Sequence, residues 1–330
     1  MNLFPLKLKS MLAIGCGFFF ILPLKAQTEI IEPIEYGDMD RWMVREVKES
    51  FIIGGNTKYL YELTTGDTLK NNTPYKNTDS PWGTSSVMAR VSGVVKTSIT
   101  VFPEARGEGY CARLETRMEH CKVLGLFNIR VVAGGTIFLG EMVEPITDTK
   151  NPQGKLISGI PFTKRPQALT YDYKVVTGGL RTYASGFGKP ESRTDRDMAE
   201  TCLLLQHRWE DEEGNVFAKR VGTAWECFEQ SVTEWQNGHR LPIRYGDISS
   251  SSFYKPYMGL INGEGAYYTR NSKGKMVPIQ EIGWAEPEEA VTHIVLRISS
   301  SNGGAYIGSI DSKFWVDNVG LVYEKEDQIK

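Results

Sequence analysis

Two aspartates, one near each end of the chain, stand where carboxylates would need a partner. Asp317 follows a two-residue period with Val319, Leu321 and Tyr323, which predicts that it shares the apolar face of the last strand. A carboxylate on a buried face must be paired or liganded, because an isolated buried charge is very costly. Calcium takes carboxylate and carbonyl oxygens, and Asp40 in the segment YGDMD offers a second carboxylate. We therefore predict a structural calcium site formed by Asp40 and Asp317, with a salt bridge or a hydrogen-bonded cap as an equal alternative.

Aromatic residues in loop-like segments form a second candidate site. The chain has seven tryptophans, of which Trp82 and Trp284 lie in the segments DSPWGTSS and EIGWAEPEE. Tyr306 lies in NGGAYIG, where the glycines leave room for a ligand, and the nearby Asn302 offers an amide to sugar hydroxyls. Because the apolar face of a pyranose matches a flat aromatic ring, we predict that these four residues bind carbohydrate. The alternative is that the rings are buried in the fold, as tryptophan usually is.

Catalytic chemistry has less support in the sequence. Glycoside hydrolysis needs two carboxylates at a set separation, and acidic side chains are close in sequence at Glu108, Glu115, Glu119, Glu141 and Glu144. However, a chain with 40 acidic residues always contains some such groups, and on strands most of them face solvent. The four histidines lack metal-binding spacing, and no nucleophile motif occurs. No residue is therefore assigned a catalytic role.

The charge balance and the cysteines exclude two further classes. The 38 basic and 40 acidic residues give a net charge of −2, which argues against a nucleic-acid-binding protein. Cys111, Cys121, Cys202 and Cys227 lack the paired spacing of a zinc site. They allow three disulfide pairings, among which the sequence does not choose. We expect them to be small, half-buried residues, and the question of one bridge among them stays open.

The elements that must position these residues are predicted to be strands. GYCARLETRM, QALTYDYKVV and THIVLRISSS alternate between apolar and polar residues with a period of two. CLLLQHRWEDEEGNVFAKRVG predicts a hairpin with strands at 202–209 and 216–221 around a turn at 211–215. One or two helical turns are expected at 118–126. Many strands separated by Gly, Pro, Asn and Ser predict an all-β, mostly antiparallel two-sheet sandwich with long loops, whose first and last strands are adjacent.

The first 26 residues have the pattern of a secretory signal peptide. Lys7 and Lys9 precede an apolar run, and Ala26 is a small residue before the expected cleavage site. Removal of residues 1–26 would move the net charge from −2 to −5. No later apolar run is long enough to span a membrane. The sequence therefore predicts an exported protein, periplasmic or extracellular, with a single domain over residues 27–330.

Several stretches, taken together and in order, resemble a known family. GYCARLET is followed by GIPFTKRPQALTYDYKV, then by IRYGDI, and WVDNVGLVYE closes the chain. This set resembles the putative carbohydrate metabolism domain family of secreted gut-bacterial proteins, over roughly residues 36–324. The resemblance implies a jelly-roll sandwich similar to galactose-binding and carbohydrate-binding modules. It implies a role in glycan binding or glycoside processing without deciding between them.

The leading functional hypothesis is an exported, non-catalytic module that binds an oligo- or polysaccharide. The second is a glycoside hydrolase or lyase that uses a carboxylate pair. The third is a structural or adhesive sandwich that binds another protein. Neither the sugar nor a protein partner follows from the sequence, because fold does not determine function.

Overall fold

The computed structural model describes residues 29–123, 127–147, 151–186 and 188–325. The predicted signal peptide lies outside these residues. Across the described ranges, no helix is long and apolar enough to cross a membrane. Helical structure in these ranges is limited to short 3-10 turns at Phe51–Ile53, Pro152–Lys155, Pro256–Met258 and Gly263–Gly265.

The remaining elements are strands, numbered here in chain order. They are β1 (Glu29–Pro33), β2 (Trp42–Lys48), β3 (Thr57–Leu63), β4 (Trp82–Thr84), β5 (Val87–Val91), β6 (Val94–Ser98), β7 (Val101–Arg106), β8 (Gly109–Glu115), β9 (Arg117–Val123), β10 (Phe127–Ala133), β11 (Thr136–Met142), β12 (Leu156–Ser158), β13 (Ile160–Pro161), β14 (Ala168–Val176), β15 (Leu180–Tyr183), β16 (Ser185–Gly186), β17 (Glu191–Arg196), β18 (Ala199–Glu210), β19 (Val216–Phe228), β20 (Val232–Pro242), β21 (Arg244–Tyr245), β22 (Tyr268–Arg270), β23 (Met276–Trp284), β24 (His293–Ser299), β25 (Ile307–Gly308) and β26 (Lys313–Glu324).

Two large sheets pack against each other around a shared hydrophobic core. The first sheet has the order β20-β14-β26-β8-β7, and β1 also pairs with β26. The second has the order β13-β24-β18-β19-β23-β22-β12-β11-β4, and β21 also pairs with β19. Leu169 and Phe314 of the first sheet lie in one buried cluster with Leu203, Val221 and Leu296 of the second. The predicted all-β sandwich is therefore confirmed.

The strand pairing confirms two further predictions. β1 runs antiparallel to β26, so the first and last strands of the described chain are adjacent. β18 and β19 form the predicted hairpin around the 211–215 turn, although both strands are longer than predicted. Among the named strands of the described ranges, the pairings are antiparallel except for β12–β22 and β19–β23. Smaller sheets, such as the β2–β3 and β5–β6 hairpins, add to the two that were predicted.

The helical turns expected at 118–126 are wrong where the chain is described, since β9 occupies residues 117–123. The strand pairs with β10 over its whole length, so backbone pairing outweighed local preference.

Cys111, Cys121, Cys202 and Cys227 are all free thiols. Burial raises the pKa of Cys111 and of Cys227 to about 12, so these thiols stay protonated near neutral pH.

A bulge in β26 changes which face its side chains occupy. The register pairs Thr170 with Gly320 and then Asp172 with Asp317, so three steps along β26 lie opposite two along β14. Asn318 is the irregular residue, with a φ of 51°. One extra residue in a strand reverses the inward and outward positions beyond it.

The bulge explains why the expected orientation of Asp317 is wrong. Before it, Phe314 and Val316 face the core, and after it Val319 does. Asp317 therefore does not share the phase of Val319, and it lies on the outer face together with Trp315. The two-residue period predicted from the sequence holds only on either side of the bulge.

Candidate functional site

Two tryptophans and a lysine lie side by side on the outer face of the first sheet. Trp235, Lys174 and Trp315 come from the neighbouring strands β20, β14 and β26, and Lys174 is directly opposite Trp315 in the register. The Lys174 ammonium lies 4.4 Å from the ring centre of Trp315 and 5.4 Å from that of Trp235. Both indoles are partly exposed. We call these three residues the tryptophan platform.

The strand alternation places the platform outward. Tyr173 and Val175 on β14 belong to the buried core, so Lys174 between them points to the opposite face. Phe314 and Val316 flank Trp315 in the same way on β26. Packing on the core side therefore holds the backbone of the platform in place.

An arginine and two aspartates join the strands beside the platform. Arg106 on β7 donates one hydrogen bond to Asp317 at 2.5 Å and another to Asp172 at 2.9 Å. The same guanidinium lies 3.8 Å from the ring centre of Trp235. Gly238, in the irregular part of β20, donates its backbone N–H to Asp172 at 2.6 Å. We call Arg106, Asp172 and Asp317 the Arg106 clamp, because its contacts link β7, β14, β26 and β20.

The charges of the clamp stabilise one another. Burial raises the pKa of Asp317, and the hydrogen bonds from Arg106 and from the backbone of Asn318 act in the opposite direction. Burial alone would lower the pKa of Arg106, but its bonds to Asp317 and Asp172 raise it above the usual value. The guanidinium therefore stays charged beneath the edge of the platform.

A glutamate fixes the orientation of Trp315. The indole N–H of Trp315 donates to Glu104 at 2.8 Å, and the other carboxylate oxygen of Glu104 forms an ion pair with Arg113 at 2.7 Å. Arg113 is directly opposite Trp315 on β8, and its guanidinium lies 4.5 Å from the ring centre of Phe102. Aromatic rings and cations thus alternate across the sheet from Trp235 to Phe102.

The tryptophans predicted from the sequence lie elsewhere. Trp82 is fully buried, and its indole N–H donates to the carbonyl of Glu35 at 2.9 Å. Its ring lines a cavity of about 10 Å³, so in this structure it has no exposed face for a sugar. Trp284 is half-buried on β23 beside the buried guanidinium of Arg220, 5.5 Å from the ring centre.

Asn302 and Tyr306 lie beside the small sheet β17-β15-β25. The amide of Asn302 accepts hydrogen bonds from Arg181 and from the backbone of Met198, and its NH2 group lies 3.8 Å from the thiol of Cys227. Met198 lines an open cleft of about 400 Å³. Tyr306 has a φ of 66°, and its carbonyl accepts from Ala184. The described contacts of Trp82, Trp284 and Tyr306 therefore fall in three separate places.

The two predicted calcium ligands lie near one hairpin. Asp40 accepts the backbone N–H of Tyr110 at 2.7 Å, close to the β7–β8 turn, and Asp317 binds Arg106 on the same hairpin. A methyl group at Gly109 would lie 2.0 Å from the Asp40 carboxylate, so a larger residue there would displace this carboxylate. Within the residues that the structure describes, no group of three or more His, Cys, Asp or Glu side chains could hold a metal ion. Arg106 is the cation that Asp317 contacts.

The platform contains residues that sequence patterns alone do not identify. Lys174, Asp172 and Trp315 lie in stretches that carry the family resemblance, but the resemblance assigns them no role, and Trp235 carries no motif of its own. Arg106 and Asp317 are 211 positions apart, so only the sheet order brings them together. The one usable signal was the tryptophan count, but it does not distinguish buried from exposed rings.

Trp209 is more exposed than the two platform tryptophans, but it lies on the second sheet. Trp209 has 37% of its surface exposed and stacks on Phe217, with ring centres 5.9 Å apart. Both lie beside the β18–β19 turn. This pair is a natural control for the platform, because it presents an aromatic surface on a different sheet.

Glu226, Tyr171 and His239 form a hydrogen-bonded cluster on the inner face of the sheets, and its carboxylate and imidazole are groups that can transfer protons. One oxygen of Glu226 accepts the Tyr171 hydroxyl and lies 2.9 Å from Nε2 of His239. The side chains of Glu226 and His239 are 24% and 28% exposed. Burial raises the pKa of Tyr171, and the nearby Glu226 carboxylate raises it further, so its hydroxyl remains a donor.

Two solved structures are similar to this chain at low sequence identity. The solved structure of a putative glycoside hydrolase from Bacteroides thetaiotaomicron has a TM-score of 0.42 and 20% identity over 70% of this chain and 59% of that one. A second putative glycoside hydrolase, from Bacteroides vulgatus, has a TM-score of 0.38 and 15% identity over 88% of this chain and 94% of that one. The chain thus spans less than two thirds of the first protein, and likenesses of this degree establish no shared activity.

No curated protein matches the chain. The model of the putative carbohydrate metabolism domain matches residues 56–232, which is more than half of the chain. The chain therefore belongs to the putative carbohydrate metabolism domain family.

Proposed function

We propose that the protein is a non-catalytic glycan-binding module and that the tryptophan platform holds the glycan. The observation that carries this proposal is the arrangement of two partly exposed indoles, Trp235 and Trp315, on two strands of one sheet that flank β14. Membership of the family supports a carbohydrate-related role. Indole faces are suited to the apolar face of a pyranose ring, and a rigid sheet lowers the cost of ordering them.

The spacing of the platform favours an oligosaccharide over a single sugar. Trp235 and Trp315 lie on strands separated by β14, and adjacent strands are about 4.8 Å apart. A ligand that contacts both indoles must therefore extend about 10 Å across the sheet. Such a ligand crosses the strands, because the rings are arranged across the sheet.

Polar groups beside the platform can bind sugar hydroxyls. Asn237 and Asn318 are both exposed. The carbonyl oxygen of Asn237 accepts from Arg106, and the NH2 group of Asn318 donates to Asp172. The NH2 group of Asn237 and the carbonyl oxygen of Asn318 make no hydrogen bond with the described residues. These two groups supply one donor and one acceptor for a ligand.

The test is calorimetry with a panel of oligosaccharides on the full chain and on single variants. Trp315→Ala and Trp235→Ala should each weaken binding about fivefold, since one stacking ring contributes about 1 kcal/mol. Trp209→Ala is the matched control, because it removes an exposed indole from a different sheet. Loss of binding in Trp209→Ala, with the two platform variants unchanged, would place the site at the β18–β19 turn.

Glycoside cleavage is a second candidate, favoured by the Glu226–His239 pair. A carboxylate and an imidazole at 2.9 Å, both partly exposed, have the reach and the groups for proton transfer. Release of reducing ends from the same panel, abolished in Glu226→Gln, would establish cleavage. If the panel shows neither binding nor cleavage and a stable protein partner is captured, the adhesive alternative replaces both.

Export is part of the same proposal. It rests on the basic and apolar pattern of residues 1–26, and polysaccharides occur outside the cytoplasm. Expression of the full-length chain in a bacterium, followed by fractionation and N-terminal sequencing, tests it. A mature protein that begins near Gln27 supports export, whereas retention of Met1 contradicts it.

A further inference from the structure

We infer that the platform selects acidic glycans, with Lys174 binding a carboxylate or sulfate group of the sugar. This inference rests on the proposed glycan-binding function and adds the class of ligand. Its basis is the position of the Lys174 ammonium between two indoles, where among the described residues it donates no hydrogen bond to a carboxylate.

Lys174 differs from the other cations on its face of the sheet. Arg106, Arg113 and Lys313 each have a carboxylate within 3.4 Å. The nearest carboxylate to the Lys174 ammonium is that of Glu104, at 3.9 Å. Among the described residues, the ammonium of Lys174 donates no hydrogen bond.

Both oxygens of Glu104 have a partner that is closer than Lys174. One of its oxygens accepts the indole N–H of Trp315, and the other is ion-paired with Arg113. Lys174 therefore lies against the rings of Trp315 and Trp235 with one long ion pair to Glu104. An ammonium has three donors, so this one is available to an anionic ligand.

The neighbouring rings make this charge useful for recognition. A sugar that stacks on Trp315 brings its substituents next to Lys174, because the two residues are directly opposite on adjacent strands. The side chain of Lys174 is 24% exposed, so its charge is less hydrated than that of a free surface lysine. A carboxylate or sulfate on the ring edge would gain an ion pair that a neutral sugar lacks.

The experiment compares neutral, uronate-containing and sulfated oligosaccharides of equal length by calorimetry, at low and at high salt. We expect at least one acidic series to bind about tenfold more tightly than the neutral series, with the difference reduced by salt. Lys174→Gln should bind the acidic and the neutral series with similar affinities, whereas Lys174→Arg should keep the preference for the acidic series. Lys219→Gln is the matched control, because Lys219 is a lysine outside the platform. The two acidic series distinguish a uronate from a sulfate ligand.

The possible failures are distinguishable. Equal affinities for neutral and acidic series in the wild type would overturn the inference and leave the proposed function intact, provided that Trp315→Ala still weakens binding. Equal losses for all three series in Lys174→Gln would also overturn it, since the lysine would then act only by packing. No binding of any series would overturn both the inference and the proposed function.

Discussion

The guanidinium of Arg106 lies 3.8 Å from the ring centre of Trp235 while it donates to Asp317 on another strand. This relationship ties a carboxylate on the last strand to the orientation of an indole on β20. The side chain of Asp317 is joined to Trp235 through the Arg106 guanidinium, so its expected influence on binding passes through Arg106. It is a positioning residue for the proposed site.

Replacement of Asp317 by Asn should reduce both stability and glycan binding. The change weakens a bond between two charged groups, and we expect a loss of about 1–3 kcal/mol in the free energy of unfolding. Urea unfolding measures this, and calorimetry should show weaker binding with the Trp315 contribution retained. Asp195→Asn is the control, because Asp195 also pairs with an arginine but its side chain is 56% exposed. An exposed pair contributes less than about 1 kcal/mol. Equal losses in the two variants would contradict a special role for the clamp.

The fold was more predictable than the site, for a physical reason. Strand alternation and turn residues are local, so the β18–β19 hairpin and the β14 alternation could be found from the sequence. The partner of Asp317 depends on the order β14-β26-β8-β7, which local patterns do not encode. The bulge at Asn318 also reversed the expected facing of Asp317, although the need for a paired carboxylate was correctly predicted.

The exposure of the tryptophans was also not predictable from local sequence. Trp82 lies in a segment with the composition of an open loop, yet the ring is fully buried and hydrogen-bonded to Glu35. Trp315 lies in a strand and yet is partly exposed. Local composition therefore did not separate core rings from surface rings, since the packing of distant segments decides exposure.

Trp82→Ala should destabilise the protein strongly without a selective effect on sugar binding. Removal of a fully buried aromatic side chain costs about 3–5 kcal/mol, and this change also leaves the Glu35 carbonyl without its donor. Trp209→Ala should cost less than Trp82→Ala, since 37% of the Trp209 surface is already exposed in the folded state. Urea unfolding of the two variants provides the comparison. Near-wild-type stability in Trp82→Ala together with lost glycan binding would return Trp82 to the binding site.

Calcium binding by Asp317 and Asp40 remains a prediction, and the Arg106 clamp supplies the alternative against which it is tested. A calcium ion at Asp317 must compete with Arg106, which the aspartate already contacts at 2.5 Å. If the ion binds the folded state, excess calcium raises the melting temperature, and both Asp317→Asn and Asp40→Asn remove that rise. Magnesium serves as the control, because its stricter geometry disfavours such a site. A melting temperature that is the same in calcium and in chelator leaves the Arg106 ion pair as the role of Asp317.

A buried ion cluster predicts how stability depends on pH. Arg45 is 2% exposed and lies between Glu62 at 2.7 Å and Glu144 at 2.5 Å. Burial raises the pKa of Glu62 to about 7; the Arg45 guanidinium opposes this, and the Glu144 carboxylate adds to it. The folded state therefore binds a proton on Glu62 more tightly than the unfolded state, whose value is near 4.5.

The sign of the Glu62 effect follows from linkage. Stability from the protonated carboxyl is fully present below pH about 4.5 and is lost as the pH rises to about 7, by on the order of 3 kcal/mol at most. Glu62→Gln mimics the protonated form. Urea unfolding across this range should show that the free energy of unfolding of this variant rises relative to that of the wild type as the pH rises. Glu141→Gln is the control, since Glu141 lines the same cavity but is 23% exposed.

His293 also titrates in this pH range. The decisive measurement is therefore the difference in the free energy of unfolding between Glu62→Gln and the wild type, and not the wild-type profile alone. Burial lowers the pKa of His293 to about 4, with a further contribution from Arg208. The unfolded chain binds this proton more tightly, so the His293 contribution rises between pH about 4 and 6.5, opposite in slope to that of Glu62. The two effects partly cancel in the wild type, but His293 is common to Glu62→Gln and the wild type and drops out of their difference. A difference that is constant over this pH range would mean that Glu62 does not titrate there, which would contradict its raised pKa.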